Sequence, residues 1–200
     1  MAYSILLREV MKALPKILLA LTAVAALSVA YPAKANLITN PGFETGDFTG
    51  WTAAGFNASV HGTFGGIAPH SGNFQAVFSE LTNSITQNLA TTPNTSYVLT
   101  FWLATDPNMT PPNSFTVQWG GSTIFSLTNA MSFGYTEYMF NVTASSATTA
   151  LQFQETEFGP VGDFLLDDVS VNLAGAVPDG GSTVSLLSFA CSAWLPCGAN

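Results

Sequence analysis

The chain has 200 residues, with four basic residues (Arg8, Lys12, Lys16 and Lys34) against twelve acidic ones, and 48% of the residues are hydrophobic. All four cations fall before residue 35; beyond it there is no Lys or Arg, and setting Glu9 aside from the twelve acids leaves eleven carboxylates. Phosphate backbones and anionic headgroups are held by cationic contacts, so this long second part is excluded from nucleic-acid binding and from electrostatic attachment to lipid, and no Lys or Arg salt bridge stabilises it.

In chain order, Lys12 and Lys16 precede a nearly continuous apolar run from Ile17 to Ala30, and Ala33-Lys34-Ala35 supplies the small residues of a signal-peptidase site. Residues 1–35 therefore read as a secretory leader, a signal helix whose cleavage site carries Ala33 and Ala35. The run falls short of the roughly 20 apolar residues of a bilayer span, which argues against a permanent anchor. Met11 makes a better start than Met1, so residues 1–10 read as an extension of the leader.

Residues 36–174 are rich in Thr, Ser, Asn, Gly and Phe and carry the period of strands. A Ser71-Gly72-Asn73 turn precedes a strand from Phe74 to Phe78. In Thr95 to Asp106, Tyr97, Leu99, Phe101 and Leu103 alternate with Val98, Thr100, Trp102 and Ala104, the pattern of a strand with one face in a core. Phe115, Val117 and Trp119 repeat it, and Gly120-Gly121 offers a hairpin turn into Thr123 to Leu127. Tyr138, Phe140 and Val142 follow, then Leu151 and Phe153. Short strands broken by Gly, Pro and Asn predict one all-β domain, a sandwich of two antiparallel sheets.

The two ends of this stretch carry a resemblance. Asn36-Leu37-Ile38-Thr39-Asn40-Pro41-Gly42-Phe43-Glu44, followed by Gly46-Asp47-Phe48 and Gly50-Trp51, is similar to the opening of family 4 and 9 carbohydrate-binding modules and related galactose-binding-like jelly rolls; Phe164-Leu165-Leu166-Asp167-Asp168-Val169-Ser170-Val171 resembles their closing strand. The resemblance implies a jelly roll whose first and last strands pair. It also implies one structural calcium ion, with Glu44 and Asp167 as side-chain ligands and Gly42 and Ser71 as carbonyl donors, hard oxygens of the kind calcium takes. The alternative for these residues is that Glu44 caps a turn and Asp167 faces water.

Sugar recognition needs flat aromatic surface beside hydrogen-bonding side chains. Trp102, on the strand face opposite Tyr97, Leu99 and Phe101, lines an open sheet or lies under the second one. Trp119 beside the Gly120-Gly121 turn is a solvent-facing platform or a hairpin anchor, and Tyr138 is the third ligand-binding candidate. Trp51 reads as a core plug. Catalytic signatures are missing: His61 and His70 match no zinc spacing, no GxSxG elbow is present, and the one carboxylate pair worth naming for glycoside hydrolysis is Glu155 with Glu157, expected on one strand face.

After the domain comes Val177-Pro178-Asp179-Gly180-Gly181, then an apolar stretch from Val184 to Ala190. The run resembles the VPDGG variant of the PEP-CTERM signals, which implies processing by an exosortase-type transpeptidase, transient association with the inner membrane, and a Gram-negative source. Such signals end in an apolar helix and a basic cluster, whereas residues 191–200 read CSAWLPCGAN. A neighbouring reading frame of those residues is compatible with Leu-Gly-Leu-Ala-Ala-Leu-Arg-Arg-Lys, so residues 191–200 of the sorting segment at 175–200 are read as frameshifted. Both cysteines, Cys191 and Cys197, lie in that stretch. The expectation is an exported, exosortase-sorted and non-catalytic protein of the cell surface or extracellular matrix that associates with exopolysaccharide. The alternatives are a structural matrix protein that binds no glycan and a small glycoside-active enzyme.

Overall fold

A computed structural model of the chain describes residues 36–175 except residues 56, 80 and 158–161. The leader read over residues 1–35, with Met11, Ala33 and Ala35, the sorting run Val177, Pro178, Asp179, Gly180 and Gly181, and the frameshift read over residues 191–200 lie outside the described residues.

Among the described residues every regular element is a strand: β1 (Thr52–Ala54), β2 (Ala58–His61), β3 (Gln75–Ser79), β4 (Thr82–Ala90), β5 (Ser96–Thr105), β6 (Asn113–Trp119), β7 (Ser122–Thr128), β8 (Thr136–Thr143), β9 (Thr148–Glu157) and β10 (Asp163–Leu173). They form two five-stranded antiparallel sheets, a front sheet in the order β1-β4-β9-β6-β7 and a back sheet in the order β2-β3-β10-β5-β8. The fold is the expected jelly-roll β-sandwich.

Alternation fixes which side chains meet between the sheets. In β5, Tyr97, Leu99, Phe101 and Leu103 are fully buried, and in β6 so are Phe115 and Val117. Rings bridge the layers edge to face: Phe101 of the back sheet meets Phe153 of the front at 5.2 Å and 80°, and Phe78 meets Phe115 at 5.4 Å and 89°. Such pairs add about 0.5–1.5 kcal/mol beyond the area they bury. Trp51 plugs the same core at 7% exposure, its indole N–H donating to the Asn40 carbonyl at 3.3 Å.

The β6–β7 hairpin turns on Gly120 (φ 57°) and Gly121 (φ 81°), both in the left-handed region that two-residue hairpins favour. The opening segment departs from expectation, because it is bonded to the closing strand without being a strand. Leu37 N–H donates to Val171 O at 2.9 Å and Val169 N–H to Pro41 O at 2.9 Å, but Asn40 (φ 54°) and Phe43 (φ 57°) curl the chain away between and beyond these bonds. The strand β4 was not among the expected elements. Its inward positions are Asn83, Ile85, Gln87 and Leu89, so polar amides interrupt the apolar alternation.

On the outer side of the front sheet the register aligns side chains into rows. Ser84, Gln154, Thr116 and Ser126 stand across β4, β9, β6 and β7, and Thr86, Gln152, Gln118 and Thr123 form the next row.

Candidate functional site

The polar chemistry of the domain gathers where β10 is interrupted. Pairing with β5 shifts between Asp167 and Ser170, and Asp168 lies in the left-handed region (φ 47°), a conformation uncommon for a side-chain-bearing residue. The bulge turns two adjacent carboxylates toward the opening loop and the turn at residues 70–74. Asp167 accepts from Ser71 N–H at 3.1 Å and from Asp168 N–H at 2.8 Å. Asp168 accepts from the Ser71 hydroxyl at 2.7 Å, and its other oxygen lies 2.6 Å from His70 Nδ1. Glu44 accepts from the backbone N–H of Asn73 (2.9 and 3.0 Å) and of Phe74 (3.0 Å) and from the Asn73 amide (3.3 Å).

Glycines make this approach feasible. A Cβ on Gly72 (φ 62°) would lie 2.3 Å from Glu44 Oε1, so the carboxylate occupies the space a side chain would need. A Cβ on Gly42 would meet Asp168 Oδ1 at 3.4 Å, Asp167 Oδ1 at 3.5 Å and Glu44 Cγ at 3.7 Å. Three acidic side chains thus converge beside one glycine. Burial, reinforced by the neighbouring Asp168 charge, pushes the Asp167 carboxyl up to about 6, while the Asn73 and Phe74 amides hold Glu44 below the ordinary carboxylate range.

Of the four residues expected to hold calcium, Glu44, Asp167, Gly42 and Ser71 all meet here, and the donors are the hard oxygens that ion prefers. The oxygens of Glu44 are turned onto amides, and among the described residues no group of three His, Cys, Asp or Glu side chains is spaced to ligate one ion. Asp167 is buried and not solvent-facing, and Glu44 does cap a turn, so the alternative reading of the pair holds for one residue and fails for the other.

The three aromatic candidates occupy three separate places. Trp102 is half-buried on the outer face of the back sheet, and the covering group is the His70 ring, stacked on it at 3.7 Å and 15°. His70 belongs to a strap, residues 62–74, laid over that sheet: Phe64 and Ile67 pack on Val77, Ala104 and Leu165, and buried Gln75 donates to the carbonyls of Gly62 (2.7 Å) and Ile67 (2.9 Å) while accepting from the Tyr135 hydroxyl. Trp119 is the hairpin anchor and not a platform. It is 6% exposed, and its indole N–H donates to Thr143 O at 3.0 Å. Tyr138 is half-buried in a ring cluster at the open flank between β7 and β8, stacked on Phe101 at 5.4 Å and tilted 4.7 Å from Phe125. A shallow depression of about 330 Å³ on the same flank is lined by Trp119, Ile124, Asn141 and Thr143.

Glu155, one of the two glutamates expected to share a strand face, points into the sandwich and is fully buried. Sequence reasoning passed over Gln75, weighed His70 only against zinc spacings and took Asp168 only as part of the closing motif. The signal for Asp168 was the doubled Asp of the closing strand; the others become neighbours only through the strap.

No protein-family model matches the sequence, and no curated protein matches it either. Among solved structures, the fold is similar to that of TmCBM61 in complex with β-1,4-galactotriose (TM-score 0.56, 18% identity, 70% of this chain and 99% of that one). It is likewise similar to a family 16 carbohydrate-binding module (0.52, 20%, 68% and 99%) and to the K1 cleaved adhesin domain of Lys-gingipain from Porphyromonas gingivalis W83 (0.55, 15%, 67% and 96%). At these identities the likeness is one of fold, end to end with small single-domain modules.

Proposed function

We propose that the chain is an exported, non-catalytic binding domain that associates with extracellular polysaccharide at the cell surface or in the matrix of a Gram-negative bacterium. The observation that carries this reading is the likeness in fold of 70% and 68% of the chain to 99% of each of two carbohydrate-binding modules. The absence of Lys and Arg beyond residue 35 agrees with it, since the polymer is then recognised without ion pairs. Glu44 and Asp167, with the carbonyls of Gly42 and Ser71, would hold one calcium ion, which would compensate the charge of the clustered carboxylates.

In this reading signal peptidase removes residues 1–35 and an exosortase-type enzyme cuts within residues 177–181 during a transient stay at the inner membrane. The termini of the exported protein, determined by mass spectrometry, test that course; a C-terminus at Asn200 overturns the second cut. Retention of the purified protein by immobilised neutral or acidic polysaccharides tests the binding, and consistent silence across both classes overturns it. The rival is a structural matrix protein without glycan affinity. It is favoured by the dispersal of Trp102, Trp119 and Tyr138 to three places.

A further inference from the structure

We propose that the polysaccharide lies on the outer face of the front sheet, and that it is a neutral, hydroxyl-rich polymer held by side-chain amides and hydroxyls and not by stacked rings. This rests on the glycan-binding reading above and names its surface and ligand class. The first support is charge. Every outward position on β4, β6, β7 and β9 described here is uncharged, in a domain otherwise dense in carboxylates: Glu44, Asp167 and Asp168 sit at the β10 bulge, Asp47 in the opening loop, Glu137 on the back sheet, and Glu155 inside. A polyanion meets net repulsion from such a body, while a neutral polymer meets none and finds one face where no charge must be desolvated.

The second support is hydrogen-bond capacity. Gln118, Gln152 and Gln154 stand side by side on β6 and β9, flanked by Thr86 and Thr116. A primary amide offers two donors and an acceptor on one flat group, matching hydroxyls that both donate and accept. The Gln152 amide is oriented by donating to Thr86 Oγ1 at 3.2 Å, and the Thr116 hydroxyl donates to Gln154 O at 3.5 Å, whereas the amides of Gln118 and Gln154 make no hydrogen bond among the described residues. Some groups are therefore fixed in place and others stand free to receive a ligand. Five strands at ~4.8 Å spacing give a face on the order of 19 Å across, room for a short run of sugar rings. The third support is access: the back sheet is covered at one end by the strap, and the hydrogen bonds that these front-sheet side chains make among the described residues end within their own sheet.

Affinity electrophoresis of the purified chain through gels containing a linear neutral galactan, or a polygalacturonate as polyanion, tests the proposal. Retardation by the galactan alone is expected. Gln154→Glu and Gln152→Glu should each weaken it at least tenfold, Gln154→Ala should weaken it less, and Met139→Glu, which sets the same charge on the back sheet, should leave it unchanged; thermal melting confirms that each variant is folded. Loss in Met139→Glu with retention in the glutamine variants moves the site to the other sheet and overturns the inference while glycan binding stands. Preferential retardation by polygalacturonate, or self-association abolished by Gln154→Glu with no response to polymer, overturns it as well. A chain retarded by neither polymer removes the glycan reading and the inference together.

Discussion

The two outer faces of one sandwich differ more than its two sheets do. The front face is a run of Ser, Thr and Gln with neither ring nor charge, whereas the back face bears Trp102, Glu137 and Met139 and is part-covered by a strap whose His70 lies flat on the indole. The contrast shows that aromatic residues among those described serve the core and the strap. An exposed face lacking them is no less defined, because its register is set by the apolar side chains directly behind it.

The contrast is removed most completely by Phe153→Ala. That ring is fully buried between the sheets, and its loss costs about 3–5 kcal/mol, so urea unfolding should show a large drop in stability and both faces should fail together. Gln75→Ala acts on one side only. It strips the carbonyls of Gly62 and Ile67 of their donor and the Tyr135 hydroxyl of its acceptor, a loss of about 2–3 kcal/mol. Limited proteolysis should then cut the strap near Gly65, while retardation by galactan persists in the folded fraction.

A pH series separates the acidic cluster from the rest. The folded Asp167 carboxyl titrates near 6, above its unfolded value of about 3.9, so it favours the fold while protonated and that contribution is lost as pH rises through 6. Glu44 runs the other way, supporting the fold above the ordinary carboxylate range and losing that support on acidification. Between pH 5 and 7 in chelator the loss of the Asp167 contribution should lower the melting temperature by a few degrees, on the order of 1–2 kcal/mol. Added calcium should reverse the fall, and an unchanged curve with calcium removes the ion from the account. The smallest effect is expected for His70→Ala, which uncovers Trp102: acrylamide quenching should rise, with Trp51 and Trp119 still buried, at a cost of about 1 kcal/mol in the stacked pair.

Alternation made β5, β6 and β7 legible, since their inward side chains are almost all apolar. It failed at β4, where two inward positions are amides. Asn83 donates to Ser79 O at 2.8 Å and accepts from Asn57 N–H at 2.9 Å; Gln87 exchanges two hydrogen bonds with the backbone of Thr39. Gln87 serves the opening chain and Asn83 the backbone at Asn57 and Ser79, reasons visible only after those segments have been placed. Glu44, Gly42, Ser71 and Asp167 were brought together by a family likeness at the two ends, as no local pattern joins residues more than a hundred positions apart. The placing of Trp102 shows the limit of a strand period: it tells which face a side chain takes and nothing of what crosses that face.

The bonds between Asn36 to Pro41 and Val169 to Val171 join the two extremities of the domain, with separations of 133 and 135 residues at Asn36. The back sheet is likewise incomplete without β10, which sits at its centre between β3 and β5. Stable structure must therefore await the last strand, and contacts of such long range make assembly slow. A polypeptide of this design completes its back sheet only when β10 has been made, and a truncation short of residue 163 is expected to yield no smaller folded unit.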